Sequence, residues 1–194
     1  MSLRCFLLTK TDRVCVELRV YDGDRVCIAG RGPHGTYCES ITIIDPDAPR
    51  SAWVEELPKN HTRARSELVS EDDPRWPLAC ERCGVPWSDK ASRQLNADPL
   101  WSGSPDGQRH VLEDCPEGAM WDAEWMHGYD GHYNPADGRS LMVKCPGGGE
   151  WNIDGPSTNG SGWTRTGTPP EITVTPSIQT ANYHGHLKAG IFEP

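Results

Sequence analysis

The segment LACERCG, residues 78–84, has the clearest metal-binding chemistry in this sequence. Two residues separate Cys80 from Cys83, and Gly84 follows the second cysteine directly. In zinc knuckles, two thiolates at this spacing bind one ion from a tight turn, and the glycine lets backbone N–H groups turn toward sulfur. The segment therefore predicts one half of a structural zinc site.

The other half of this site must come from elsewhere in the chain. A tetrahedral zinc ion needs four ligands, and none of the other six cysteines forms a second CxxC motif. The preferred completing pair is Cys27 and Cys38, which are separated by ten residues around a Gly/Pro/His turn. Cys145, His34 and His61 are the alternatives. The sequence also allows all of these cysteines to be ordinary buried thiols.

Redox chemistry is the other function that a CxxC motif can support. A thioredoxin-like site places its first cysteine at the start of a helix that follows an apolar strand. The residues before Cys80, EDDPRWPLA, are acidic and contain two prolines, so they predict no such strand. The motif therefore favours a pair of metal ligands over a redox dithiol.

A second group of ionisable residues lies in WDAEWMHGYDGHYNPADGRS, residues 121–140. Carboxylates and imidazoles this close in sequence could bind a divalent cation or supply an acid and a base. Their spacing does not match an EF-hand, so a solvated surface loop is the favoured interpretation. The candidates are Asp122, Glu124, His127, Asp130, His132 and Asp137.

His184 and His186 are two residues apart in a segment that predicts a strand. Side chains at this spacing share one face, so both imidazoles could approach one metal ion. The neighbouring sequence offers no third ligand, and we therefore expect a strand edge without a ligand. Ser177 lies in no GxSxG motif and has no base near it in the sequence, so no serine nucleophile is predicted.

Charge and composition exclude some classes of partner. The 194-residue chain has a formal net charge of -9, whereas nonspecific binding to nucleic acid depends on clustered Lys and Arg. No apolar run approaches the roughly 20 residues that a membrane-spanning helix needs, and the N-terminal residues do not form a secretory signal. We expect a soluble protein made in the cytosol, with reduced cysteines and neither a nucleic-acid nor a membrane partner.

The predicted fold is mainly β, a β-rich α+β class, with a small antiparallel sheet or sandwich in the C-terminal half. The segments SLMVKC and EWNIDG alternate apolar and polar residues around Pro146–Gly149, which predicts a hairpin. The segment GPSTNGSGWTRTGTPP predicts a polar loop. The segments EITVTPSI and YHGHLKAGIF then each predict a strand.

The N-terminal half is expected to be irregular and stapled by zinc. Residues 11–21 fit both a helix and a strand, and the helix, with Val14, Leu18 and Tyr21 on one face, is favoured. ESITIIDPD predicts a short strand, and residues 45–77 predict a long surface connection with one helical turn. We predict a single domain, residues 1–194, with sub-regions 1–98 and 110–194.

Five segments carry a likeness to a known group of proteins. In chain order they are MSLRCFLL, DDPRWPLACERCG, EGAMWDAEWMHG, DGRSLMVKCPGGGEWNIDG and SIQTANYHGHLKAGIF. Together they resemble proteins encoded by tailed bacteriophages and prophages, a group without an established activity. The resemblance implies a virion-associated structural or accessory protein that decorates or cements a capsid or tail. Its partners would then be capsid or tail subunits, and its location the phage particle.

Two other functions stay open at this point. One is a metal-dependent hydrolase that uses residues 122–137 together with His184. The other is a phage-encoded intracellular protein that binds a host factor through an exposed tryptophan surface.

Overall fold

The computed structural model describes residues 2–27, 37–58, 61–127, 137–155 and 163–194. The chain forms two compact units, which we call the central unit (Thr11–Leu100) and the terminal unit (Met1–Lys10 with Trp101–Pro194). Strands make up 51% of the structure and the sheets are small, which confirms the predicted mainly β class. The predicted sub-regions, residues 1–98 and 110–194, stay a prediction. None of the helices in the described ranges has the length and apolar character that a membrane span requires.

The strands are numbered in chain order. They are β1 (Leu3–Arg4), β2 (Phe6–Leu7), β3 (Thr9–Val26), β4 (Tyr37–Pro49), β5 (Val54–Glu56), β6 (Thr62–Ala64), β7 (Ser92–Ser102), β8 (Ala119–Asp122), β9 (Leu141–Lys144), β10 (Glu150–Asn152), β11 (Thr164–Thr168), β12 (Glu171–Thr175), β13 (Ile178–Gln179), β14 (His184–Lys188) and β15 (Ile191–Glu193). The α-helix α1 spans Arg50–Trp53, and single 3-10 turns span Ser66–Leu68, Leu112–Asp114 and Glu124–Met126.

The central unit is built on a three-stranded sheet in the order β4-β3-β7, with β3 and β4 antiparallel. Val14, Val16, Leu18 and Val20 of β3 are completely buried, while the residues between them are partly exposed. This alternation is that of a strand, so the favoured helix over residues 11–21 is wrong. Three of the four buried residues are β-branched and favour strands, and pairing with β4 supplies the backbone hydrogen bonds that a helix would make internally.

The segment 45–77 has more regular structure than a surface connection. It contains the end of β4, the single helical turn α1, the antiparallel pair of β5 and β6, and the 3-10 turn Ser66–Leu68. The predicted strand ESITIIDPD lies within β4, which extends beyond it at both ends. These short elements lead the chain to the knuckle segment described below.

The terminal unit contains two four-stranded sheets and a two-stranded one. The sheet orders are β1-β15-β14-β13, β10-β9-β8-β2 and β11-β12. Strands β2 and β8 are parallel, and the other neighbouring strands in these sheets are antiparallel. The predicted hairpin is confirmed as β9 and β10, with Val143 opposite Trp151. The largest buried cluster in this unit contains Cys5, Met120, Leu141, Val143, Cys145, Ile153, Ile172, Val174, Ile178, Leu187 and Phe192.

Two expectations for the C-terminal part need correction. The predicted polar loop includes β11, which pairs with β12 along its whole length. The predicted closing strand is a hairpin, β14 and β15, that turns at Ala189 and Gly190 with φ of 45° and 73°. A Cβ atom at Gly190 would lie 2.6 Å from the carbonyl oxygen of Pro170, so both the conformation and the space at this turn favour glycine.

Candidate metal centre

Cys80 and Cys83 lie in a tight hairpin turn, which we call the knuckle (residues 79–86). Ala79 and Pro86 form an isolated antiparallel bridge at its base. The N–H of Cys80 donates to the carbonyl oxygen of Val85 at 3.0 Å, and the N–H of Gly84 donates to that of Cys80 at 2.8 Å. Gly84 has a φ of +69°, which glycine adopts at little cost. The knuckle thus holds both cysteines on one turn.

The second cysteine pair is placed by the β3–β4 hairpin. Val26, the last residue of β3, is opposite Tyr37, the first residue of β4. Cys27 therefore follows the end of one strand, and Cys38 lies one residue inside its partner. Residues 28–36 lie outside the described ranges, and with them the alternative ligand His34. The antiparallel pairing brings together two cysteines that the sequence separates by ten residues.

The four sulfur atoms form a compact cluster. Cys27 Sγ lies 3.9 Å from Cys80 Sγ, Cys38 Sγ lies 3.7 Å from Cys83 Sγ, and all four lie within 4.8 Å of one another. A tetrahedral zinc ion with Zn–S bonds of about 2.3 Å places its sulfur ligands about 3.8 Å apart. A disulfide would require about 2.05 Å, and none of the eight cysteines, all of which lie in the described ranges, forms a disulfide. The cluster could therefore hold a metal ion such as zinc.

The cluster is largely buried. Cys27, Cys38 and Cys80 are 1%, 3% and 1% exposed, Cys83 is less buried, and Trp87 packs against the group. Three buried thiols with a partly exposed fourth would shield a bound ion from water while leaving a path for it to enter. This burial also acts on the pKa values of the thiols.

Two thiols of the cluster have pKa values shifted in opposite directions. Burial raises the pKa of Cys38 to about 12, and hydrogen bonds with Cys83 and Cys80 act in the same direction. Burial also acts to raise the pKa of Cys80, but hydrogen bonds with the backbone of Cys83 and Arg82 outweigh it, and the pKa is lowered to about 6. Backbone N–H groups aimed at sulfur stabilise a thiolate, the form that binds metal.

Polar side chains join the knuckle to the sheet. Ser40, which is 3% exposed, donates its hydroxyl proton to the carbonyl oxygen of Ala79 at 3.1 Å and accepts the N–H of Glu81 at 2.6 Å. Ser88, two residues after the knuckle in the chain, donates its hydroxyl proton to Asp22 Oδ2 at 2.6 Å. The sequence does not predict these contacts, because an isolated serine carries no signal for a partner 41 residues away.

The other proposed zinc ligands in the described chain lie outside the cluster. His61 is exposed near the β5–β6 pair. Cys145 is buried in the core of the terminal unit, where burial raises the pKa of its thiol to about 12. Cys80 lies in a turn between bridge residues, whereas a thioredoxin-like site requires a helix start.

The acidic and histidine-rich stretch makes ion pairs and backbone contacts. His127 Nε2 lies 2.8 Å from Asp122 Oδ1, which also accepts the N–H of Ser140. Glu124 pairs with Lys10 at 3.3 Å. Asp130 and His132 lie outside the described residues. Within the ranges that the structure describes, the four cysteines are the one group of three or more His, Cys, Asp or Glu side chains that could hold a metal ion.

The remaining candidates in the described residues are Asp137, His184 and His186. Asp137 accepts two hydrogen bonds from Arg165. His184 and His186 both lie exposed on β14. His184 Nε2 is 3.5 Å from Ser177 Oγ, a contact that the sequence does not predict. The contact arises because β13 and β14 pair, with Ile178 opposite Gly185. At 3.5 Å it is a long hydrogen bond between exposed groups.

No protein-family model, curated protein or solved structure matches this chain. The geometry of the cysteine cluster is therefore the main guide to function.

Proposed function

We propose that Cys27, Cys38, Cys80 and Cys83 bind one zinc ion. The observation that carries this proposal is the pair of sulfur–sulfur distances, 3.9 and 3.7 Å, which match the edges of a tetrahedron of thiolates around zinc. Tetrahedral sulfur sites in proteins take zinc or iron, so the metal analysis must measure both elements.

The proposed ion has a structural role. Four thiolates fill the coordination sphere of a tetrahedral ion and leave no position for water or substrate, whereas catalytic zinc sites keep one position open. The ion would join the β3–β4 hairpin to the knuckle, two parts of the central unit that Ser40 already links by hydrogen bonds. Metal binding of this kind contributes directly to folding stability.

Elemental analysis of the purified protein tests this proposal. We expect about one zinc per chain. The variants Cys80→Ser and Cys38→Ser should lose the metal, because each removes one ligand. Cys115→Ser is the matched control: Cys115 is buried in the terminal unit, and a serine can keep its 2.8 Å hydrogen bond to the carbonyl oxygen of Leu112. Zinc that persists in the Cys80 and Cys38 variants would contradict the proposal.

We further propose that this zinc-stapled chain is a structural or accessory component of a phage particle, as a decoration or cement protein of the capsid or tail. Two observations support the proposal. The five segments from MSLRCFLL to SIQTANYHGHLKAGIF resemble phage and prophage proteins. A closed tetrathiolate site stabilises a fold without providing a reactive metal, which suits a structural role.

Quantitative mass spectrometry of purified particles from a phage that encodes this chain tests the second proposal. Many copies per particle are the expected result. If the protein is found in infected cells but not in the particles, the virion role is overturned and a host-factor-binding protein is favoured. The zinc measurement is independent of this outcome.

A further inference from the structure

The central unit contains a cavity of about 670 Å³. Small-molecule sites in proteins span roughly 300 to 1,000 Å³, so the cavity is large enough for a ligand. Trp76 and Trp87, which precede and follow the knuckle in the chain, both line it. None of the four cysteines lines the cavity, and the cavity has no role in the zinc proposal.

The lining of the cavity includes buried apolar residues. Val20 is completely buried, and Val69 is 8% exposed. The indole N–H of Trp76 donates to the carbonyl oxygen of Ser70 at 2.9 Å, and that of Trp87 donates to the carbonyl oxygen of Pro77 at 2.8 Å. Because both N–H groups bind backbone, the two tryptophans offer the cavity ring carbon rather than hydrogen-bond donors.

The rim of the cavity carries charges of both signs. Glu71, Asp89 and Arg93 line it and are exposed. The Arg93 guanidinium carbon lies 5.7 Å from the centroid of the Trp76 ring, and its Nη1 donates to the carbonyl oxygen of Glu71 at 2.8 Å. A guanidinium has five N–H donors, so Arg93 can donate to a ligand as well.

These features select the chemistry of a ligand. A cation would compete with Arg93 for the face of Trp76, and an anion would be repelled by the carboxylates of Glu71 and Asp89. A neutral molecule with one apolar face and several hydroxyl groups meets neither obstacle. Each hydroxyl can donate to a carboxylate and accept from a guanidinium, and the apolar face can lie on an indole ring.

We propose that this cavity binds a neutral saccharide, with a C–H face of a sugar ring against Trp87 and its hydroxyl groups on Glu71, Asp89 and Arg93. The site is distinct from the metal site, although Trp87 also packs against the cysteine cluster. Zinc would therefore help to hold one wall of the cavity in place.

The test uses the full zinc-loaded chain on an array of neutral, anionic and cationic glycans, followed by calorimetric titration of any neutral glycan that binds. We expect binding of at least one neutral glycan, weakened about tenfold by Trp87→Ala through loss of ring packing. Glu71→Gln and Asp89→Asn should also weaken binding, and these exposed positions carry little risk to folding. Trp125→Ala is the matched control, because Trp125 is 58% exposed in the terminal unit.

Absence of neutral glycan binding by the zinc-loaded protein would overturn the saccharide proposal. Selective binding of charged glycans, or binding that none of the Trp87, Glu71 and Asp89 variants changes, would overturn it too. Zinc content is measured on every preparation, so the two proposals fail separately. Glycan binding by a protein that takes up no zinc when zinc is supplied would support the cavity and contradict the metal site.

Discussion

The sulfur atoms of Cys27 and Cys80 lie 3.9 Å apart although 53 residues separate them in the chain. The sulfur atoms of Cys38 and Cys83 lie 3.7 Å apart, and these two residues are 45 positions apart in the chain. A metal ion at this point would close two long loops at once. Cross-links that close long loops remove the most conformational freedom from the unfolded chain. A zinc ion here would therefore contribute more to stability than one bound within a single turn.

Removal of zinc should destabilise the central unit. With a strong chelator present, we expect the melting temperature to fall on the order of 10 °C, because a loss of a few kcal/mol has this effect in a unit of this size. Hydrogen–deuterium exchange should increase in β3, β4 and the knuckle. The strands β8 and β9 of the terminal unit are an internal control. Unchanged exchange in β3 and β4 after complete loss of metal would contradict a structural role.

Zinc binding should release protons and weaken in acid. Cys38, with its pKa raised to about 12, keeps its proton at neutral pH until the metal displaces it. Titration of the metal-free protein with zinc in dilute buffers of different ionisation enthalpy measures this release. Zinc occupancy should decrease as pH is lowered from about 8 to about 4, because protons compete for the thiolates. Occupancy that is independent of pH would point to other ligands.

The metal-free protein should show its own pH dependence. The lowered pKa of Cys80 contributes stability that is present above its ordinary value of 9.0 and is lost as pH falls through about 6. The raised pKa of Cys38 contributes stability that is present below 9.0 and is lost as pH rises toward about 12. Denaturant unfolding of the metal-free variants measures this. The free energy of unfolding of Cys80→Ser should no longer show the acid dependence, and that of Cys38→Ser should no longer show the alkaline dependence. A variant that keeps the dependence assigned to it would contradict the assignment.

Gly84→Ala should weaken zinc binding through the backbone alone. A Cβ atom there meets nothing within 4 Å, but the residue has a φ of +69°, which costs a side-chain-bearing residue about 1 kcal/mol. Gly23→Ala is the matched control, since its Cβ atom also meets nothing and no positive φ is involved. Competition with a chromophoric chelator should show weaker zinc binding for Gly84→Ala only. Equal affinities in the two variants would mean that the turn does not depend on glycine.

Arg165 should be important for the stability of the terminal unit. Its Nε donates to Asp154 Oδ1 at 2.7 Å, and the two side chains are 8% and 4% exposed. Arg165→Met leaves the buried carboxylate without this partner. We therefore expect the free energy of unfolding, measured in urea, to fall by about 3 kcal/mol or more. Arg4→Met removes an exposed 4.0 Å pair with Glu171 and should change stability little. Equal effects of the two substitutions would contradict this expectation.

The sequence predicted the parts of the fold that depend on local pattern. The β9–β10 hairpin follows from alternating residues around a proline–glycine turn, and the knuckle was visible in the spacing of Cys80 and Cys83. The β3 strand was not resolved from a helix, because Val14 and Leu18 fit either period until β4 is known to pair beside them.

The candidate site depended on long-range pairing in the same way. Sequence spacing placed Cys27 and Cys38 ahead of Cys145, but it could not show that a β-hairpin brings them to the knuckle. Contacts such as Ser40 with Glu81 and Ser88 with Asp22 have no local pattern at all. They follow only from the register of β4 against β3 and from the position of the knuckle beside them.

The order of the cysteines in the chain would also set the timing of the proposed metal capture during synthesis. Cys27 and Cys38 leave the ribosome first, and Cys83 follows Cys38 by 45 residues. At about 5 to 20 residues per second, this interval lasts on the order of seconds. The nascent chain therefore spends that time with half a coordination sphere, exposed to any metal or oxidant that reaches it first.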